Sequence, residues 1–495
     1  MIFNSSEFLF VFLPVTLIIF FWVKFHVPHL ARWVLVAASV AFYASWRLAY
    51  VPLLLGSAVF NYLIGYVLLS RRDAASRRAI LIFGLSIDLM LLAFYKYTNF
   101  LIGVLPMDWH MAHFDIILPL GISFFTFTQI TFLVDAYRRR VAGRDLDSYL
   151  LFVTYFPHLI AGPILHHRDM IPQFRFEKTR GEELRHLAIG VSIFFIGLFK
   201  KTFLADPLSP VVHELFDLGH PAGVFAAWTG VLGYTMQIYF DFSGYSDMAC
   251  GLSYLFGVRL PINFNSPYKA MSISEFWRRW HMTLSSFLRD YLYIPLGGNR
   301  HGTARQYTNL LVTMLLGGLW HGASWTFVFW GFLHGLYLVV NHAWRALPSM
   351  PAFVERWASR SVVAAISWLI TFLGVTFAWV FFRAPDFSTA ATVIGGLIGK
   401  HGWGVLSSEY VSRYVAAEAA IRLPLLLLIA VAVPNTAQLF AKWDAMLLPD
   451  QVERMPARSS VAWSPSWQWA AALGVIAIVG LLAMGRSTEF LYFQF

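Results

Sequence analysis

The chain has 495 residues, of which 58% are hydrophobic and 13% charged, and its mean hydropathy is +0.60. Soluble domains are about 25% charged, so a soluble enzyme with one anchor is excluded and a polytopic membrane protein is expected. The net charge of +10 is mostly topology signal, with a remainder for anionic lipid heads or a phosphorylated substrate, and needs no nucleic-acid partner.

Residues 1–7 lack the basic start and small-residue cleavage site of a signal peptide, so 8–23 reads as a retained first span. Apolar stretches near bilayer length follow at 30–46, 49–70, 79–95, 116–134, 149–165, 186–204 and 224–240. Others lie at 241–257, 307–319, 324–343, 361–382, 421–440 and 468–485. Gly and Pro interrupt several, so about 11 to 13 true spans plus re-entrant or interfacial helices are expected. Basic residues alternate loop by loop: Arg71, Arg72, Arg77 and Arg78 follow the third span, and Arg138, Arg139, Arg140 and Arg144 the fifth. Placing these loops in the cytoplasm puts the N-terminus outside. The polar segment 444–466 reads as an exposed loop. The whole chain is expected to form one membrane domain, with a core over 1–385 and additional spans over 386–495.

Three blocks carry chemistry. In Tyr239-Phe240-Asp241-Phe242-Ser243-Gly244-Tyr245-Ser246-Asp247, two carboxylates sit among aromatics. At that depth they must face protein or a water-filled cavity, either in catalysis or paired with Arg278 or Arg279. In Ser272-Ile273-Ser274-Glu275-Phe276-Trp277-Arg278-Arg279-Trp280-His281, Ser272 and Glu275 form a capping box that starts a helix. Continued at helical period, Trp277, His281, Leu284 and Leu288 share one stripe, while Arg278 and Arg289 lie on another. His281 is then either functional or an amphipathic ring packed in an aromatic interface. The third block, Leu319-Trp320-His321-Gly322, places a titratable ring in a nearly uncharged run from Asn309 to Val340. Such a ring marks a functional site by default; the plainer reading is a core imidazole bonded to a neighbouring helix. On a continuous helix His334 is turned about 220° from His321, which makes it a packing or polar-glue residue. The lone cysteine, Cys250, gives no disulfide or metal spacing, and no HExxH, Walker loop or GxSxG elbow occurs. Prolines at both ends make 260–268 an ordered, non-helical link, and 156–164 is a similar broken-helix element that serves shape.

These blocks, with Pro157-His158-Leu159-Ile160-Ala161-Gly162-Pro163, resemble the membrane-bound O-acyltransferase family, and more narrowly its bacterial branch that acts on alginate and teichoic acids. The likeness covers most of 1–385. It implies a ring of helices around a thin floor, where a funnel from outside meets a passage from the cytoplasm. It maps the family's presumed catalytic histidine to His321 and a second important histidine to His281. It further implies an acetyl donor in the cytoplasm, acetyl-coenzyme A, an extracytoplasmic acceptor or periplasmic partner transferase, and a bacterial inner membrane. No bound cofactor or metal is expected. On this reading His321 is the general base, and His281 orients the acceptor or stabilises the oxyanion. Asn263 is a further donor, Trp277, Trp280 and Trp320 wall the site, and Arg278 and Arg279 hold donor phosphates or pair with Asp241 or Glu275. D-alanyl transfer to teichoic acid is the rival enzyme. A donor or lipid transporter is the non-enzymatic rival, although the repeated halves typical of transporters are not visible.

Overall fold

Apolar runs of this length satisfy their backbone groups in lipid by forming helices, and the chain does so. The computed structural model describes residues 1–104, 114–141, 145–176, 181–218, 221–347, 359–404, 413–448, 461–486 and 491. Among the described residues there is no named strand; one isolated bridge pairs Pro261 with Leu447. In chain order the helices are α1 (Leu13–His26), α2 (Ala31–Ala44), α3 (Val51–Ser70), α4 (Ala74–Val104), α5 (Ile122–Tyr137) and α6 (Leu146–Thr154). Then come α7 (Glu183–Phe199), α8 (Ser209–Phe216), α9 (Val224–Leu255), α10 (Ile273–Trp277), α11 (Met282–Leu288) and α12 (Gly302–His321). The last are α13 (Trp325–Arg345), α14 (Arg360–Arg383), α15 (Phe387–Leu397), α16 (Arg413–Ala432) and α17 (Trp467–Ala483). Among the described residues, five segments are long and apolar enough to cross a membrane: Phe8–His26, Leu48–Ser70, Ala74–Val104, Glu183–Phe216 and Arg360–Arg383. The molecule is an all-α polytopic membrane protein.

Glycines set how closely the central helices approach. A Cβ at Gly197 of α7 would lie 2.5 Å from the carbonyl of Gly244 on α9, and one at Gly251 would lie 2.6 Å from that of Gly190. These small residues let the two backbones touch, as packing in a membrane requires. α12 and α13 meet the same way: a Cβ at Gly318 would be 2.3 Å from the Phe327 carbonyl, and one at Gly331 2.3 Å from that of Met314.

Three expectations change. The stretches 224–240 and 241–257 are one 32-residue helix, α9. Asp241 interrupts nothing, because Lys201 forms an ion pair with it in the core and the charge is neutralised where it sits. The stretch 149–165 is no continuous span: α6 stops at Thr154, and a short turn, Phe156–Leu159, follows. The helix started at Ser272 does not run on to Leu288. It ends at Trp277, and a new one begins at Met282. Of the polar segment 444–466, residues 449–460 lie outside the described residues. Leu447 is tied to the 260–262 link by its N–H to the Leu260 carbonyl, 2.9 Å, and by the Ile262 N–H to its own carbonyl, 3.1 Å.

Candidate active site

His321 is the last residue of α12, and the backbone turns to an extended conformation at Gly322. The ring is 4% exposed. It packs edge-on against Trp330 of α13 and Phe382 of α14, each with centroids 5.1 Å away, and against Trp320 at 4.8 Å. Trp330 reaches it because the Gly318–Gly331 contact removes the usual gap between helices. A cavity of about 340 Å³ opens on His321 and is lined by Lys96, Gly121, Ser123, Phe124 and Trp320 among others.

His281 is fully buried. It occupies the break between α10 and α11 with φ +41°, a left-handed conformation rare outside glycine. Such strain persists only where the surroundings over-determine it, and it clusters at functional sites. The fixing group here is Asn263. Its Oδ1 accepts from the Thr283 N–H at 3.3 Å, the Thr283 hydroxyl at 2.8 Å and His281 Nδ1 at 3.1 Å. The Met282 N–H also donates to the Asn263 carbonyl at 3.0 Å. A backbone N–H only donates, so the Asn263 atom facing Thr283 is the amide oxygen. His281 Nδ1 therefore carries the proton, and Nε2 holds the lone pair. Phe242 meets the ring edge-on at 4.8 Å, and Trp320 packs on both histidines, with centroids 6.2 Å from His281 and 4.8 Å from His321.

A second cavity, about 320 Å³, is lined among others by His166, Arg168, Arg259, Thr283 and Arg289, and by Asp169 and Asp290, which pair with Arg168 and Arg289. It ends at the same Thr283 that holds Asn263. The Thr283 hydroxyl also accepts from the Ile164 N–H at 3.0 Å, which is what the broken 156–164 link contributes. The two cavities lie toward opposite ends of α4. Near its start, Arg77 donates to the Tyr137 carbonyl, and the neighbouring Arg138 covers Tyr291, which is bonded to His166 of the second cavity. Lys96, in the first cavity, is 22 residues past Ala74 (96 − 74), about 33 Å along the axis.

The expected residues divide by place. Trp320 walls the first cavity and stacks on Phe127 at 5.3 Å. Trp277 and Trp280 line neither large cavity. Trp280 stacks on Phe276 and meets Trp379, while Trp277 donates its indole N–H to His334 Nδ1 at 3.3 Å. Asn263 lines neither of these two cavities but a small void beside Lys200, Ser246 and Asp247; its amide oxygen is committed to His281 and Thr283. Arg279 pairs with Glu275 at 2.8 Å and bonds the Asn265 carbonyl at 3.1 Å. Arg278 is exposed and, like Arg279, lines neither large cavity.

The expected pairing of Asp241 with an arginine is overturned. Its partner is Lys201, which also bonds Asp206 at 2.7 Å, and the Leu491 N–H donates to its second oxygen at 3.1 Å. Arg279 is taken by Glu275 and Arg278 is exposed, whereas Lys201, in the helical turn after α7, faces the buried Asp241 directly. Glu275 caps α10 only in half of the expected box. Its N–H reaches Ser272 Oγ, but its carboxylate accepts from Met271 N–H. His334 packs on Trp330 as polar glue. The reason differs from the expected one, because residues 322–324 interrupt the helix and no fixed rotation relates it to His321. Among the described residues, no group of three or more His, Cys, Asp or Glu is placed to hold a metal ion. Sequence reading missed Lys96 and Thr283. A lysine inside the 31-residue α4 was the available signal for the first; Thr283 gave none.

A family model described as the membrane-bound O-acyltransferase family matches residues 133–382, which include both histidines. The chain is 42% identical to the peptidoglycan O-acetyltransferase of Helicobacter pylori over 448 residues, covering 83% of this chain and 84% of the other. It is 44% identical to a probable alginate O-acetylase of Pseudomonas aeruginosa over 402 residues, 79% of this chain and 73% of the other. It is 29% identical to the teichoic acid D-alanyltransferase of Bacillus subtilis over 301 residues, 57% of this chain and 72% of the other. The chain therefore belongs to the membrane-bound O-acyltransferase family.

Proposed function

We propose that this enzyme O-acetylates an extracytoplasmic polysaccharide, drawing acetyl groups from a cytoplasmic thioester, acetyl-coenzyme A, in the bacterial inner membrane. The observation that carries the reading is a pair of cavities toward opposite ends of α4, one opening on His321 and the other reaching Thr283, which shares the Asn263 oxygen with His281. With the basic loops at 71–78 and 138–141 inside, the Arg168–Arg259–Arg289 cavity faces the cytoplasm and admits the donor. The Lys96–His321 cavity then faces outward, as does the N-terminus, and admits the acceptor.

In this mechanism His321 takes the acceptor hydroxyl proton as the oxygen attacks the thioester carbon. A C–O bond forms, the C–S bond breaks, and the departing thiolate receives the proton. A positioned base of this kind contributes about 10²- to 10⁴-fold. His281, with its lone pair on Nε2, acts as an acceptor that orients a hydroxyl; it does not donate to the oxyanion. Asn263 and Thr283 hold it in that role. Donor phosphates meet the arginines of the inner cavity in place of Arg278 and Arg279. The acceptor is a sugar hydroxyl, as in alginate or peptidoglycan, or a periplasmic partner that passes the acetyl group on.

The test is transfer of labelled acetyl from acetyl-coenzyme A by the purified protein in lipid nanodiscs, with and without a periplasmic acetyltransferase. Label on an added oligosaccharide or on the partner supports the reading. Label accepted only from a D-alanyl carrier protein would replace it with the teichoic-acid reading.

A further inference from the structure

The end of α12 is held by another helix. An α-helix leaves its last four carbonyls without intrahelical partners, here those of residues 318–321. Two adjacent side chains of α4 take three of them. Tyr97 donates its hydroxyl to the Leu319 carbonyl at 2.9 Å, and the Lys96 ammonium donates to the Trp320 carbonyl and to the His321 carbonyl at 3.1 Å. The ammonium also lies over the Trp320 ring, 5.8 Å from its centroid. A cation belongs at this place, because the carbonyl end of a helix is its negative end. Lys96 and Tyr97 both lie outside the residues matched by the family model. Among the described residues, Lys96 and His321 are the only ones with ionisable side chains lining the outer cavity.

We propose that Lys96, assisted by Tyr97, is a positioning residue that fixes the last turn of α12 and so aims the His321 ring into the outer cavity. Gly322 supplies no side chain to hold that turn, and the chain departs from helix immediately after it. Without the ammonium, two carbonyls in an apolar setting lose their donor, and the turn that carries His321 frays. The catalytic consequence rests on the acetyltransferase reading; the mechanical one does not.

The test compares Lys96→Met, Lys96→Arg and Tyr97→Phe in nanodiscs by two readouts. Hydrogen exchange followed by mass spectrometry reads the amides of residues 316–325 whatever the protein catalyses. Lys96→Met is expected to speed exchange there by about tenfold or more, Lys96→Arg to restore most of the protection, and Tyr97→Phe to give a smaller change. Acetyl transfer is expected to lose about tenfold or more in kcat for Lys96→Met with donor KM nearly unchanged. Wild-type protection of 316–325 in Lys96→Met overturns the positioning role. So does a loss of protection spread over all helices that arginine does not rescue. If the wild-type protein turns over no acetyl thioester, the functional reading fails, and the exchange result alone decides for or against Lys96.

Discussion

At the scale of single residues, the arrangement turns on how two imidazoles are held. His281 is fixed by one amide oxygen, while His321 is held through its own backbone and by three aromatic rings. Replacing Asn263 by leucine removes the acceptor for His281 Nδ1 and two bonds to Thr283. Each buried polar group left without a partner costs about 1–3 kcal/mol. Asn263→Leu is therefore expected to lower kcat by about 10- to 100-fold, as read from labelled acetyl transfer. Both histidines were legible in the sequence because an ionisable ring among apolar neighbours is rare. How they are supported was not: Asn263 was expected as a donor, whereas its amide oxygen accepts from His281 and Thr283. Asn263 lies 18 residues from His281 in a non-helical link, and only the tertiary fold brings it there. Lys96, one residue past the 79–95 stretch, was passed over, since its carbonyl partners are more than 220 residues further along.

At the scale of elements, the site is made where helices stop. The sequence carried the all-helical membrane class, because length and hydropathy decide it, and it carried the cap at Ser272. It concealed the break at 278–281, where the apolar spacing continues at helical period although the backbone does not. It also divided α9 in two at Asp241, since a buried lysine partner on a different helix leaves no local trace. The α12–α13 contact is a test of this scale. Gly331→Val places a branched side chain where even a Cβ lies 2.3 Å from the Met314 carbonyl. Overpacking of this kind costs about 1–3 kcal/mol. It is expected to lower the thermal midpoint in detergent and to reduce acetyl transfer, by pushing Trp330 off His321. The ion pair between Lys201 and Asp241 is a second. Lys201→Met leaves buried carboxylates without their cation and should destabilise by about 3–5 kcal/mol, while adding Asp241→Leu should recover part of the loss. Thermal unfolding of the single and double variants measures both.

At the scale of the whole molecule, the account depends on orientation. Cys250 is buried at 3% exposure, so cysteines introduced elsewhere can be read against a quiet background. Arg47→Cys is expected to react with a membrane-impermeant maleimide in intact spheroplasts, and Arg72→Cys only after permeabilisation. The reverse pattern would exchange the roles of the two cavities. The central claim is that His321 is the base at their meeting point. Its most direct measurement is acetyl transfer by purified His321→Gln, folded and extracted at wild-type levels. The account predicts a loss of about 10²-fold or more in kcat, with donor KM little changed. Transfer at the wild-type rate would contradict it.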